Sequence, residues 1–255
     1  MSWIPSYKKP GGGGGMPEIV TWSDGTDEQL VAMVQAHYDG LLDLHDYWAI
    51  GDERIVSLSA MAGLDINPTT YAAQNVVYVL SEVGGKYLAD NVTECAFQVD
   101  QKNSLNEYLR TNPNDNTDVG GWKECPSRTW LNTTYKNALP STFTSIFKEF
   151  INQSGVGNKV DNVENTIDTF AFRAEIEVFG SRTYSVAGEG NQVKYYETSS
   201  NRIKQRAGSD NNWWERSPGS STTSSSQNFC NVNQSGNKAI TNARNASGCS
   251  PFGVI

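Results

Sequence analysis

The sequence predicts a mixed α+β fold with two main helices, short strands and long loops, and three observations predict it. Apolar residues recur at helical spacing in two places, and β-branched segments sit between Gly, Asn and Asp turns. The apolar fraction is only 37%, and it leans on 7 Trp, 11 Tyr and 9 Phe rather than on aliphatic repeats, which argues against a helical bundle. In chain order, Thr26 and Gln29 have capping-box spacing, and Leu30, Val31, Val34, Tyr38, Leu41 and Leu42 carry a helical face until Gly40 and the Asp/His-rich exit weaken it. Residues 54–59 and 75–80 read as strands. Residues 100–121 read as a loop, with an Asn/Asp run over 112–118 before Gly120 and Gly121. The second helix is expected over 142–151, where Phe143, Ile146, Phe147 and Phe150 share a face. Residues 169–173 alternate as a strand does, 175–180 read as a turn or short helix, and 195–206 fit neither pattern. From Trp213 onward the reading is short strands and long loops, bent at Gly219, Gly236, Gly248 and Gly253.

Composition bounds the organisation. The 255 residues suffice for one large domain, or for a domain with a small appendage. Residues 1–15 read as an anchor peptide, with Trp3, Ile4 and Tyr7 ahead of five successive glycines that form a flexible tether. A disordered terminus fits the same residues equally well. Residues 16–47 form an N-terminal helical segment, and 48–255 the main domain. A formal charge of −8 works against sequence-independent binding to nucleic acid or anionic lipid. No run approaches the roughly 18–20 apolar residues of a membrane helix, and no apolar secretory core is expected at the N-terminus.

Residue types that carry chemistry are sparse. Counting from Asn114, the Asx-rich loop places Cys125 where a calcium loop needs its glutamate at position 12. Cys95, Cys125, Cys230 and Cys249 are too widely spaced for a zinc motif; Cys230 and Cys249 read equally well as a pair or as free buried thiols. His37 and His45 are the only histidines, so no Ser-His-Asp or Cys-His set suggests itself, and solvated or satisfied rings are the expectation. Glu175, Glu177, Glu189 and Glu197 are the carboxylates that could act as a pair on a sugar, although acidic side chains in so acidic a chain are usually surface. The expectation is a protein without catalytic residues, metal or cofactor.

The last third of the chain is its most distinctive part. Trp213-Trp214-Glu215-Arg216-Ser217-Pro218 and the closing Pro251-Phe252-Gly253 bracket small polar residues. Trp122, Arg128, Trp130, Trp213, Trp214, Arg216, Pro218 and Phe252 are expected to be architecture, with Arg216 on a buried carboxylate or on carbonyls. The expected ligand surface is Asn211, Asn212, Ser220, Ser221, Thr222, Ser224, Asn228, Asn231, Asn233, Asn237, Asn242, Arg244 and Asn245, with Trp213 or Phe229 available to stack on a sugar face. For residues 220–227 a low-complexity loop is an equal reading.

Further motifs accompany these blocks: Gly51-Asp52-x-Arg54, Gly121-Trp122, Ser127-Arg128-x-Trp130, Leu139-Pro140 and Glu175-x-Glu177-Val-Phe-Gly180. From about Trp48 onward the ordered set resembles a domain family of phage and prophage tail-region proteins and gut-bacterial surface proteins. That family is similar to the C-type-lectin-like fold of formylglycine-generating enzymes and of the variable proteins of diversity-generating retroelements. The resemblance implies twisted antiparallel strands that present a ligand surface from the end of the chain. It does not carry the enzyme activity over, because Cys230 and Cys249 stand nineteen positions apart where the enzymes have two closely spaced copper ligands.

The resemblance implies a receptor-binding protein at a phage tail tip or particle surface, or on a bacterial cell surface, that reads a host-surface glycan or protein. Other virion tail proteins would hold residues 1–15, and a homo-oligomer, as a trimer, would raise avidity. A virion structural protein without an external ligand is the alternative. Asn- and Ser-rich composition also fits diversification of the C-terminal segment by a retroelement.

Overall fold

The computed structural model describes residues 15–64, 69–158, 160–219 and 226–255. The architecture is mixed α+β, mostly sheet with few helices. Helix α1 (Asp27–Tyr38) begins as its spacing predicts: Thr26 Oγ1 accepts from Gln29 N–H and Gln29 Oε1 accepts from Thr26 N–H. After a 3-10 turn at Leu44–Asp46 come β1 (Glu53–Leu58), the small hairpin β2 (Met61–Ala62) and β3 (Thr70–Tyr71), then β4 (Gln74–Val83), β5 (Phe97–Gln101) and β6 (Tyr108–Leu109). The middle of the chain holds α2 (Pro126–Trp130), a π turn (Leu131–Tyr135), α3 (Lys136–Ala138) and α4 (Ser141–Thr144). A hairpin of β7 (Phe150–Gly155) and β8 (Val163–Asp168) follows, then α5 (Glu175–Phe179). The last third supplies β9 (Lys204–Arg206), β10 (Ser209–Asn211), β11 (Trp213–Pro218), β12 (Asn228–Val232), β13 (Lys238–Asn242), β14 (Ser247–Gly248) and β15 (Phe252–Val254).

Two sheets organise these elements. One has the order β1-β4-β5-β15 and the other β13-β12-β11-β14-β6. Every pairing is antiparallel except β11 with β14. The chain's last strand is thus a neighbour of β5, and the Ile255 carbonyl accepts from Ala96 and Phe97 N–H and from the Tyr38 hydroxyl. One large apolar core runs from Trp22, Leu30 and Met33 through Trp48 to Trp214, Phe229 and Phe252, so residues 16–47 share it with the rest. A smaller core gathers Val178, Val193, Tyr196, Trp213 and Val232.

The helix expected over 142–151 is a single turn. Thr144 and Ser145 hydroxyls donate back to the carbonyls of Ser141 and Thr142, and Lys148 N–H is taken by the Val254 carbonyl of β15, so the chain leaves helical geometry and Phe150 opens β7 instead. Its four aromatic and aliphatic positions are buried all the same. The longer helical rod lies over 126–138, where Asn132 Nδ2 and Thr133 Oγ1 donate to carbonyls four residues back, within the π turn.

The strand expected over 169–173 is extended chain held by other partners. Asn132 Oδ1 accepts from the N–H groups of Thr169 and Phe170, Ala171 exchanges two hydrogen bonds with Phe252, and the Arg173 carbonyl accepts from Arg216 N–H. Strands β5 and β6 fall at the start and middle of the polar stretch that reads as a loop.

Gly121 shows how tightly β7 is packed against the loop before α2. It has φ +53°, and a Cβ there would lie 1.9 Å from the Gly155 carbonyl oxygen. Gly121→Ala is expected to lower stability by about 1–3 kcal/mol, read as a drop in the thermal midpoint.

Candidate binding surface

Strand β11 forms the frame of the C-terminal third, and all six of its residues are buried. Adjacent side chains of a strand face opposite sides, and here both sides are core. Trp214 joins the large cluster and donates Nε1–H to the Leu109 carbonyl at 2.7 Å. Trp213 joins the smaller one, donates to the Arg202 carbonyl at 2.8 Å and stacks on Tyr196 with ring centroids 6.0 Å apart. Pairing sets Trp213 opposite Val232 and Trp214 opposite Asn231, which fixes the β12–β13 hairpin to this frame.

On the Trp214 side, Arg216 makes a bidentate ion pair with Glu177, Nη1 to Oε2 at 2.6 Å and Nη2 to Oε1 at 3.1 Å. Its remaining donors reach the carbonyls of Phe172, Gln153 and Glu189. Lys86 Nζ lies 2.5 Å from Glu177 Oε1. Burial pushes the Glu177 carboxyl up, but Arg216 and then Lys86 outweigh it and hold the group well below the usual carboxylate range. Burial also lowers Lys86 to about 8, against the pull of Glu177. A second buried pair joins Arg173 to Asp100, which also accepts from the Tyr196 hydroxyl. Lys204, lowered to about 8 by burial, donates to the Gln101 carbonyl and lies over the Trp213 ring.

On the Trp213 side, Glu215 is fully buried and neither carboxyl oxygen has a hydrogen-bond partner. Burial, reinforced by Glu175 and Glu189, raises its pKa well above the ordinary value. Glu175 is itself buried and accepts from the N–H groups of Thr183, Tyr184 and Ser185. Glu189 accepts from Gly155 N–H and from the Ser154 and Ser217 hydroxyls. Three of the four carboxylates weighed as an acid–base pair therefore work as internal acceptors; Glu197 lies at the surface in an ion pair with Lys194.

The remaining architectural residues knit the helical rod to β8. Trp122 Nε1–H and Arg128 Nε–H donate to the two oxygens of Asp168, while Trp130 donates to the Ala62 carbonyl. Pro218 is buried beside Gly155, and Phe252 lies under the Arg173 guanidinium, 3.7 Å from its ring centroid.

The expected ligand residues divide into groups. Asn212, Asn237, Arg244 and Asn245 are exposed, and Asn211, Asn228, Asn233 and Asn242 are half-buried. Asn233 Oδ1 accepts from Ser235 and Asn237 N–H, Asn212 Oδ1 from Gln234 N–H, and Asn245 donates to Thr241, so these three shape the turns. Among the described residues, the side chains of Asn237, Asn242 and Arg244 form no hydrogen bond or ion pair. Asn231 is a correction: it is 2% exposed, because its register opposite Trp214 places it inside the sheet. Trp213 and Phe229 are corrections as stacking platforms, since both are consumed by the cores. Ser220, Ser221, Thr222 and Ser224 lie outside the described residues, as does nearly all of the 1–15 peptide.

The other chemical candidates resolve structurally. All four cysteines are free and buried. His37 Nδ1 accepts from Leu44 N–H, and His45 contacts Asp43 and the Ala96 carbonyl. Asn112 Oδ1 caps the N–H groups of Asn114 and Asp115. Among the described residues no cluster of three or more His, Cys, Asp or Glu side chains suits a metal ion, and no helix is long and apolar enough to cross a membrane.

The molecule is thus a mixed α+β domain whose interior charges lock a central strand behind a polar sheet edge. Residues 99–252, well over half of the chain, match the family described as domain of unknown function (DUF6273), and the chain belongs to that family. No curated protein and no solved structure matches it.

Proposed function

We propose that the chain is a recognition module of C-type-lectin-like architecture that binds a host-surface glycan or protein through the β12–β13 hairpin and the turn after it. The observation that carries this reading is the contrast between β11, buried at all six positions, and β13, half-exposed at all five. A rigid strand behind an edge that carries the Asn237 and Asn242 amides and the Arg244 guanidinium provides hydrogen-bonding groups in fixed positions, which reduces the ordering entropy of association. Carriage on a phage tail tip, particle or bacterial surface rests on the family resemblance, with residues 1–15 as the anchor to other virion tail proteins, and assembly as a trimer suits a weak site that gains from avidity.

The test is a glycan array together with binding of the purified protein to candidate host cells. The combined Asn237→Ala, Asn242→Ala and Arg244→Ala variant is expected to lose binding while its stability stays within about 0.5 kcal/mol of the parent, because among the described residues these side chains make no hydrogen bond or ion pair. Undiminished binding by this variant would exclude the hairpin as the reader. No binding by the parent protein would favour a structural role in a particle.

A further inference from the structure

The second feature of interest is a cleft outside residues 211–245, where the loop after β4, the β7–β8 hairpin and the segment around Gly190 converge. Its volume is about 230 Å³, and Lys86, Tyr87, Asn91, Gln153, Asn165 and Asn191 line it. That size suits a ligand of one sugar unit, below the roughly 300–1,000 Å³ of pockets for larger molecules.

Its floor is Lys86, 8% exposed. The lysine's ion-pair partner is Glu177, 2.5 Å away, but it shares that carboxylate with the bidentate Arg216, so the single negative charge does not balance both cations. Arg173, the next cation, is matched by Asp100. Lys86 and Arg216 therefore share one carboxylate, with Arg173 Nη1 a further cation 4.0 Å away, and among the described residues the ammonium, which has three donors, has Glu177 as its one ion-pair partner. The lining of this cleft contains no acidic side chain. The adjoining cleft of about 170 Å³ shares Lys86 and is lined by Glu82 and Glu177 as well.

The walls suit hydroxyl groups. Asn91, Gln153, Asn165 and Asn191 are exposed, and among the described residues their side chains have no hydrogen-bond partner. Tyr87, 54% exposed, adds an aromatic side chain to the same lining. Gly85 and Gly190 adopt φ +77° and +120°; a Cβ at Gly85 would meet Gln98 Nε2 at 2.9 Å and one at Gly190 would meet Glu177 Oε1 at 3.0 Å, so the backbone lies close against the polar floor at both positions.

We infer that this cleft binds an acidic sugar, a hexuronic acid unit, with its carboxylate on Lys86, its hydroxyls on the four amides and its ring on Tyr87. The inference stands apart from the hairpin proposal, since no residue is shared.

The experiment is calorimetric and NMR titration of the full chain with methyl glucuronide and methyl galacturonide, against methyl glucoside and methyl galactoside. Saturable binding is expected, with the acids at least about tenfold tighter than the neutral sugars, the ratio that one charge-assisted hydrogen bond gives. Lys86→Met should abolish that preference. Tyr87→Ala should weaken acid and neutral sugar alike by about fivefold or more. Asn191→Trp, at an exposed position that leaves the buried network intact, should block the cleft. Absence of saturable binding by the parent, equal affinity for acid and neutral sugars, or full binding by Asn191→Trp overturns the proposal. The triple hairpin variant should bind the uronides unchanged, which separates failure of this site from failure of the hairpin.

Discussion

Arg216→Met is expected to destabilise the protein by about 3–5 kcal/mol, the range for removing one partner of a buried ion pair. The magnitude follows from what is left behind. Glu177 would keep Lys86 and the N–H of Ala174, but the carbonyls of Phe172, Gln153 and Glu189 would lose a donor inside the protein. Each unmade buried hydrogen bond costs about 1–3 kcal/mol, and the whole stability of a domain is only about 5–15 kcal/mol. Urea unfolding monitored by tryptophan fluorescence measures the loss.

Arg216→Lys is the sharper control. A lysine places one point charge where a planar fork now serves a carboxylate and three carbonyls, so a loss of about 2–3 kcal/mol is expected in spite of the retained charge. If that substitution leaves stability within about 0.5 kcal/mol of the parent, the fork is not what holds β11. The pH dependence gives a second readout. Because Glu177 is held well below its ordinary pKa, its pairing contributes stability that is present above the unfolded pKa and is lost as pH falls through the folded one. The deficit of Arg216→Met is therefore largest near neutrality and shrinks in acid.

The same network explains what the sequence revealed and what it hid. The Trp-Trp-x-Arg-Ser-Pro block is legible because seven tryptophans in 255 residues need burial and an arginine beside them needs an acceptor. The capping box of α1 is legible because both of its partners lie within four residues. The early end of the helix expected over 142–151 was not, since it is decided by Lys148 N–H reaching Val254, more than a hundred residues away. Residues 169–173 mislead for the same reason: all five are buried, polar Thr169 and Arg173 included, and Asn132 and Phe252 capture the backbone. Lys86, Asp100 and Lys204 carried no warning beyond being charged residues in or beside apolar stretches. Only the fold shows that all three are buried together. The polar residues of β13 were legible as surface by type, whereas Asn231 was not, because strand register and not residue type decides which side of a sheet an amide enters.

Glu215→Gln should stabilise the protein increasingly as pH rises from about 5, by up to about 1.4 kcal/mol per pH unit, until the pH reaches the folded-state pKa of the acid. Burial first, then Glu175 and Glu189, raises that pKa well above the ordinary carboxyl value. The folded chain therefore binds a proton that the unfolded chain releases, and this contribution to stability is fully present below the unfolded pKa and lost as pH climbs through the folded one. Glutamine keeps the shape of the neutral acid and cannot ionise, so the parent's stability falls relative to the variant's across the window. Glu189 is also raised, by burial foremost, but it remains in both proteins and its contribution largely cancels in the difference. Urea midpoints at pH 5, 6, 7 and 8 give the comparison directly, and a flat difference would show that Glu215 is not the titrating group. The position of this acid ties the effect to recognition. Glu215 is carried by β11, which pairs with β12 of the hairpin, so ionisation puts a buried charge in the frame strand beside the hairpin that bears Asn237 and Asn242. Ligand binding through the hairpin should consequently weaken in parallel with the stability loss as pH rises, and Glu215→Gln should remove that pH dependence while leaving affinity at pH 5 unchanged.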